Sequence, residues 1–149
     1  MKRSPVEAQE RQRILDRIAT IPIVDTLQLE VLKLEDDVCE VRVPHAHKWD
    51  GVFESFHGGL LMTVADTAAC FAAFTRAGSS RYMTTTDMGI RFLAPCLTDL
   101  IAKARIIKFG RTLCPVGVDL FDTKGTKVAV AQVSYLLLDK IPHPGTGKP

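Results

Sequence analysis

Apolar residues recur at helical spacing over positions 6–20, where Val6, Ile14, Leu15 and Ile18 stand among alternating charges. This predicts a short amphipathic helix that Pro5 precedes and Pro22 ends. From Thr26 the period becomes two: Leu27, Leu29 and Val31 share one side of a first strand, and Cys39, Val41 and Val43 one side of a second. The turn Glu35-Asp36-Asp37 between them predicts a hairpin. Residues 45–56 follow no period. Gly58 and Gly59 then open an apolar segment that closes at Gly78 after Arg76, which predicts one buried central helix of about five turns. Four alternating runs follow, at 82–93, 100–109, 112–122 and 127–138, separated by Pro95-Cys96, Gly110-Arg111 and Lys124-Gly125. They read as antiparallel strands.

This order, helix, two strands, long helix, four strands, predicts an α+β fold in which one antiparallel sheet wraps around one apolar helix. Ala65, Ala68, Ala69, Ala72 and Ala73 would let the sheet approach that helix closely. The chain divides into a helical extension at 1–23, one domain at 24–140 and a flexible tail at 141–149, rich in Pro and Gly. With 149 residues, 46% of them hydrophobic and 24% charged, it has the make-up of a single globular domain. A net charge of only +2 leaves no basic stripe for nucleic acid. Asp66 interrupts the longest apolar stretch, so the expectation is a buried helix short of a membrane span. Cys39, Cys70, Cys96 and Cys114 form no C-x-x-C pair and no signal peptide opens the chain, which points to buried thiols in a reducing cytoplasm.

One residue breaks the apolar pattern. Between Ser55 and Thr75 the only formal charge is Asp66, and its helical neighbours Met62, Thr63, Ala69 and Cys70 offer no cation. Such a carboxylate is either satisfied inside the core by hydroxyls and backbone groups, or it faces a water-containing cleft. On the helical wheel its stripe also holds Gly59 and Ala73. Gly58-Gly59 adds a second feature: the first N–H groups of a helix lack intrahelical acceptors and lie at the positive end of the dipole. Two glycines there are either a simple turn or a place where a substrate carbonyl comes within about 3 Å of backbone donors. Taken together, a donor that polarises a carbonyl and a carboxylate that attacks it, or deprotonates water, describe an acyl-transfer hydrolase.

The segment His57-Gly58-Gly59, followed after six residues by Asp66-Thr67-Ala68, resembles the HGG-(x)6-D signature of PaaI-like hot-dog thioesterases. The likeness extends through Thr84-Thr85-Thr86-Asp87-Met88 to Leu93-Ala94-Pro95 and the hairpin Lys108-Phe109-Gly110-Arg111-Thr112-Leu113, covering residues 24–138. It implies a hot-dog fold assembled as a homodimer or a dimer of dimers (homotetramer), which hydrolyses acyl-CoA at the subunit interface and needs no cofactor, coenzyme A being part of the substrate. By the same resemblance Asp66 is the catalytic carboxylate and Gly58, with Gly59, presents the oxyanion-hole N–H. His57 steadies the loop or the thioester carbonyl, and Thr85 helps place the water. The chain departs from the family pattern at Gly51, where many members carry Asn; Asp50 and Glu54 flank that position.

Lys108 and Arg111, with Lys103, are candidates for the phosphates of CoA, because cations by a hairpin loop suit such groups. Trp49, Phe53 and Phe56, with Glu54, are candidates for the substrate side of the loop; the aromatic rings either line an acyl tunnel or plug the core. His45 and His47, which alternate at a strand end, read as solvated histidines and not, with His57, as a metal site, since no Cys or carboxylate completes a ligand spacing. Cys70 reads as a packing thiol without a nearby base. Two other readings compete with hydrolysis: a non-catalytic acyl-CoA or fatty-acyl binding module, and a hot-dog dehydratase or hydratase, which would want a catalytic His with an acid on the central helix.

Overall fold

The computed structural model describes residues 5–139. Helix α1 spans Ala8–Ala19 and buries Ile14 and Ile18. The chain does not leave helical structure at Pro22, as its helix-breaking character predicts, but starts a second short helix there, α2 at Pro22–Leu27. Proline at the first helical position forfeits no hydrogen bond, because that N–H lacks an intrahelical acceptor anyway. Leu27 therefore belongs to α2, and the first strand, β1, begins only at Glu30 and ends at Glu35. Its pairing with β2 (Val38–Val43) shifts register between Val31 and Lys33. That bulge reverses the phase of the alternation, so Leu34 is fully buried while Leu32 remains 47% exposed.

The long helix α3 covers Gly58–Ala77 and ends at Gly78, whose φ of +90° suits a residue without Cβ. Strands β3 (Tyr82–Phe92), β4 (Leu100–Ile106), β5 (Leu113–Phe121) and β6 (Lys127–Leu138) complete one antiparallel sheet in the order β1-β2-β4-β5-β6-β3. The strand that follows α3 thus crosses to the far edge and pairs with the last one.

The sheet curls around α3, and the inward residues of β2, β4, β5 and β6 form a single core with it: Val41, Leu100, Ala102, Val116, Leu120 and Val133 against Val64, Ala68, Phe71 and Ala72. By length and composition α3 does reach what a membrane span needs, with a mean hydropathy of 1.4. Its fully or nearly fully covered residues, Leu61, Val64, Ala68, Phe71 and Ala72 among them, make it the core helix of this fold.

Polar contacts lock the C-terminal end of α3 to the first hairpin. Thr75 Oγ1 accepts from the Asp37 backbone N–H (3.0 Å), and Arg76 pairs with the Asp37 carboxylate at 3.0 and 3.1 Å. On the other flank Arg17 of α1 lies over the Phe74 ring, 4.8 Å from its centroid, and donates to the Ser79 carbonyl.

Ala65, Ala68, Ala69, Ala72 and Ala73, five of the six alanines of α3, are completely covered, so the sheet sits at a distance set by methyl groups. Enlarging one of them, Ala68→Leu, is expected to destabilise the fold by about 1–3 kcal/mol through overpacking. A lowered urea midpoint at unchanged m-value is the measurement that checks it.

Candidate active site

Asp66 sits in the middle of α3, half-buried, with its side chain turned to the β3–β6 edge of the sheet. Its Oδ1 accepts two hydrogen bonds, from Thr85 Oγ1 at 2.8 Å and from the Tyr135 hydroxyl at 2.6 Å. Thr85 and Tyr135 are direct cross-strand partners, so their side chains leave the sheet on one face. The register of β3 shifts between Thr85 and Asp87, a bulge beside the site that reorients the strand after Thr85. The other carboxylate oxygen, Oδ2, has no hydrogen-bond partner among the described residues. Both donors hold the carboxylate in place, one oxygen fixed and the other open.

Tyr135 is the residue the linear pattern did not single out. It is buried on β6 between the inward-facing Val133 and Leu137. The available signal was a hydroxyl at an inward strand position, which must find a partner when buried. Burial, reinforced by Cys70 and the hydrogen bond to Asp66, raises its phenol far above the ordinary range, so it stays a donor at any working pH.

A second group of residues forms at the start of α3. His57 is the N-cap, and its Nδ1 accepts from the Gly59 backbone N–H at 2.9 Å. This puts the ring proton on Nε2, which points outward as a donor. It also occupies the Gly59 N–H, so the donor left free is that of Gly58, which has no acceptor among the described residues.

Each glycine has a separate steric reason. A Cβ on Gly59 would come within 3.0 Å of His57 Nδ1 and break the cap; one on Gly58 would meet the Phe92 ring at 3.1 Å. The loop that presents His57 is pinned from several sides. The His57 N–H donates to Trp49 O (2.8 Å) and the Phe56 N–H to Cys96 O (2.9 Å), while Asp99 accepts from the His45 N–H (2.8 Å). That backbone bond, then Arg42, keeps the Asp99 carboxyl below its ordinary value.

Gly51 packs beneath the His57 ring, where an added Cβ would stand 3.5 Å from Cδ2. Neither acidic neighbour fills that place. Asp50 is taken by His45 Nε2 (2.7 Å), so His45 is not simply solvated, whereas His47, with Nδ1 3.4 Å from the same carboxylate, has a side chain 91% exposed. Glu54 is exposed in a left-handed turn with φ of +55°. Of the aromatic residues, Phe56 plugs the core, edge-on to His45, whereas Phe53 is 90% exposed at the loop tip.

Lys108 and Arg111 lie on the β4–β5 hairpin loop, both exposed, with Arg111 lining a cleft beside Arg76 and Arg81. Lys103 is on β4, over the Phe121 ring on the outer face of the sheet.

The two groups do not meet within one chain. Eight residues of helix separate Gly58 from Asp66, about 12 Å along the axis at ~1.5 Å per residue. A reacting carbonyl must lie within about 3–3.5 Å of both its attacker and its oxyanion donor.

A long helix enclosed by a curled antiparallel sheet is the hot-dog fold, here with a hydrogen-bonded carboxylate at mid-helix and a glycine start capped by histidine. The solved PaaI protein of E. coli matches this fold with a TM-score of 0.82 over 89% of this chain and 96% of its own, at 17% identity. A thioesterase family protein from Silicibacter pomeroyi matches at 0.79 over 85% and 96%, at 23% identity. The profile of the thioesterase superfamily matches residues 53–129, and the chain belongs to that superfamily. Human acyl-coenzyme A thioesterase 13 is 31% identical over 98 residues, which cover 64% of this chain and 66% of that protein, just under two thirds of its length.

Cys70 lies one turn from Asp66, and burial together with the Asp66 charge pushes its thiol up to about 12. It is therefore protonated at neutral pH and takes no part in nucleophilic chemistry. Cys70→Ala is expected to keep kcat within about twofold, and steady-state thiol release checks it.

Proposed function

We propose that this protein hydrolyses acyl-CoA to a free acid and CoA in a site shared by two subunits, with Asp66 from one and the Gly58 N–H from the other. The observation that carries this reading is the separation of the carboxylate from the helix start: one chain holds both parts of the machinery, too far apart to serve one carbonyl. A two-fold pairing brings each to the other's partner. The edge of the sheet supports it, because β3 presents eleven residues of strand with one side unpaired. Phe92, Leu93 and Leu97, each more than half exposed, add an apolar rim beside Gly58. Dimer or dimer of dimers is part of the proposal, as is a cytoplasmic location, where the four cysteines remain thiols.

The chemistry follows from the two groups. The thioester oxygen accepts from the Gly58 N–H, at the positive end of α3, while His57 Nε2–H lies next to it. Asp66 Oδ2 takes a proton from water as the water oxygen bonds to the carbonyl carbon. Alternatively Oδ2 attacks that carbon itself, giving an anhydride that water then opens. In both routes the oxyanion forms against a preorganised donor and its collapse breaks the C–S bond; in the first the CoA thiolate takes up the proton held by Asp66, in the second it takes up the proton released when water opens the anhydride. Thr85 and Tyr135 hold Oδ1 and so aim Oδ2.

Asp66→Asn keeps volume and much of the hydrogen bonding, so a purely structural aspartate would tolerate it. The expected outcome is a folded protein that still binds acyl-CoA and turns it over about 10²-fold more slowly or worse. Wild-type rates in that variant would place the base elsewhere, and tight acyl-CoA binding without any turnover by the unmodified protein would establish the binding-module reading instead.

Mixed assemblies test the sharing. Asp66→Asn and Gly58→Val subunits are each expected to be inactive alone, Phe92 being free to swing aside for the valine. A heterodimer of the two contains one intact site if the site is composite and none if it lies within a chain. Recovery of activity on co-refolding is the expected result, approaching half the wild-type rate per heterodimer.

A further inference from the structure

A buried carboxylate must find a hydrogen-bond donor, and Asp50, whose side chain is 8% exposed, finds an imidazole. His45 Nε2 stands 2.7 Å from its Oδ1, the ring nitrogen donating and the carboxylate accepting. At its backbone His45 is tied to the sheet: its N–H donates to Asp99 Oδ1 at 2.8 Å, and Asp99 Oδ2 accepts from Arg42 Nε of β2 at 2.9 Å. The chemistry proposed above uses neither His45 nor Asp50.

Their contact falls at the neck of the loop that ends in His57. Asp50 and Phe56 are antiparallel bridge partners, and the same His45 ring stands edge-on to Phe56 with 5.7 Å between centroids. One imidazole therefore touches both sides of the neck. One residue before Asp50, Trp49 O accepts from the His57 N–H at 2.8 Å; one residue after it, Gly51 lies under the His57 ring. Residues 49–51 form the seat of His57, and the side chain in the middle of that seat is the one His45 grips.

Gly51 has no side chain with which to hold the His57 ring. The direction of that ring depends on its Nδ1, which accepts from the Gly59 N–H, and on the seat beneath it. If the seat tilts, the ring turns, the outward Nε2–H moves, and the Gly59 N–H loses its acceptor. We propose that His45 and Asp50 are positioning residues, a brace that keeps His57 Nε2–H and the Gly58 N–H aimed at one substrate oxygen. This rests on the thioesterase reading and adds to it what holds the two donors in register.

The loop stays folded by other means as well. Gly51 N–H donates to Ser55 O at 2.8 Å, Phe56 N–H to Cys96 O at 2.9 Å, and the Phe56 ring is 4% exposed. What the brace adds is the angle of the neck against the sheet. Donors displaced by about 1 Å can cost on the order of 10² in rate while the fold persists.

The test uses the full-length protein with His45→Gln and His45→Asn. Both replace the ring by an amide, but glutamine carries its amide nitrogen to the reach of the imidazole Nε2, whereas asparagine stops short of Asp50. Three readouts are compared: kcat and KM on the acyl-CoA that wild type turns over fastest, the thermal midpoint, and the His57 tautomer by long-range 1H–15N NMR, which needs no turnover. In His45→Asn, kcat is expected to fall about tenfold with KM within about twofold, the pattern of a lost transition-state interaction. The single Nε2–H form of His57 should give way to a mixture in that variant. His45→Gln is expected to keep that single form and a kcat within about threefold of wild type. Wild-type kcat or an unchanged His57 tautomer in His45→Asn would overturn the brace. Equal losses in the two variants would overturn it too, because the hydrogen bond would then not be what positions the donors. So would a loss that only tracks the unfolded fraction at the assay temperature, which marks a structural role. If the unmodified protein hydrolyses no thioester, the proposed function falls, and the tautomer comparison still decides whether His45 and Asp50 hold His57.

Discussion

A twenty-residue apolar helix is kept in water only by covering its surface, and nearly everything in this structure follows from how α3 is covered. Alanines on the buried side bring the sheet close, so that β2, β4, β5 and β6 curl round it with small and branched side chains in contact. Curling leaves two edges, β1 and β3. The first is blunted by a bulge and by α1, whose Arg11 donates to the Leu34 carbonyl at 2.8 Å. The second is long and bordered by the exposed Phe92 and Leu93, and it is the face the proposed function gives to another copy.

Against that covering, a carboxylate in the middle of the helix needs a compensating environment. Thr85 and Tyr135 supply it by donating to one oxygen from the edge of the sheet, the place where covering is thinnest. Desolvation is therefore partial: the carboxylate is held, yet one oxygen remains available. At the other end of the active machinery the constraint is opposite. His57 uses its own Nδ1 to satisfy Gly59, which leaves a single unsatisfied backbone donor at Gly58. One fixed acceptor and one exposed donor stand on the same helix, about two turns apart, and the proposed function joins them by bringing two helices together.

Much of this was legible along the chain. The period-two runs located β4, β5 and β6 to within a few residues, and the Gly58–Gly78 punctuation located α3. Asp66 stood out because a charge on an apolar helix is costly wherever it lies. Errors arose where one local rule met another. Pro22 is both a helix breaker and a good first helical residue, and the alternation of Val31, Lys33 and Leu34 carries no mark of the bulge that shifts it.

By itself the sequence determined the element types, the buried helix, the glycine start and the isolated carboxylate, because each depends on local periodicity, backbone freedom or charge. Tertiary structure alone decided that β3 pairs with β6, that Tyr135 reaches Asp66 across 69 residues of chain, and that Asp50 answers to His45 while Gly51 lies under His57. It also gathered Arg76, Arg81 and Arg111 from three elements into one cleft. Those relations depend on which strand lies beside which, a choice made by the packing of the whole core and by no residue's own preference.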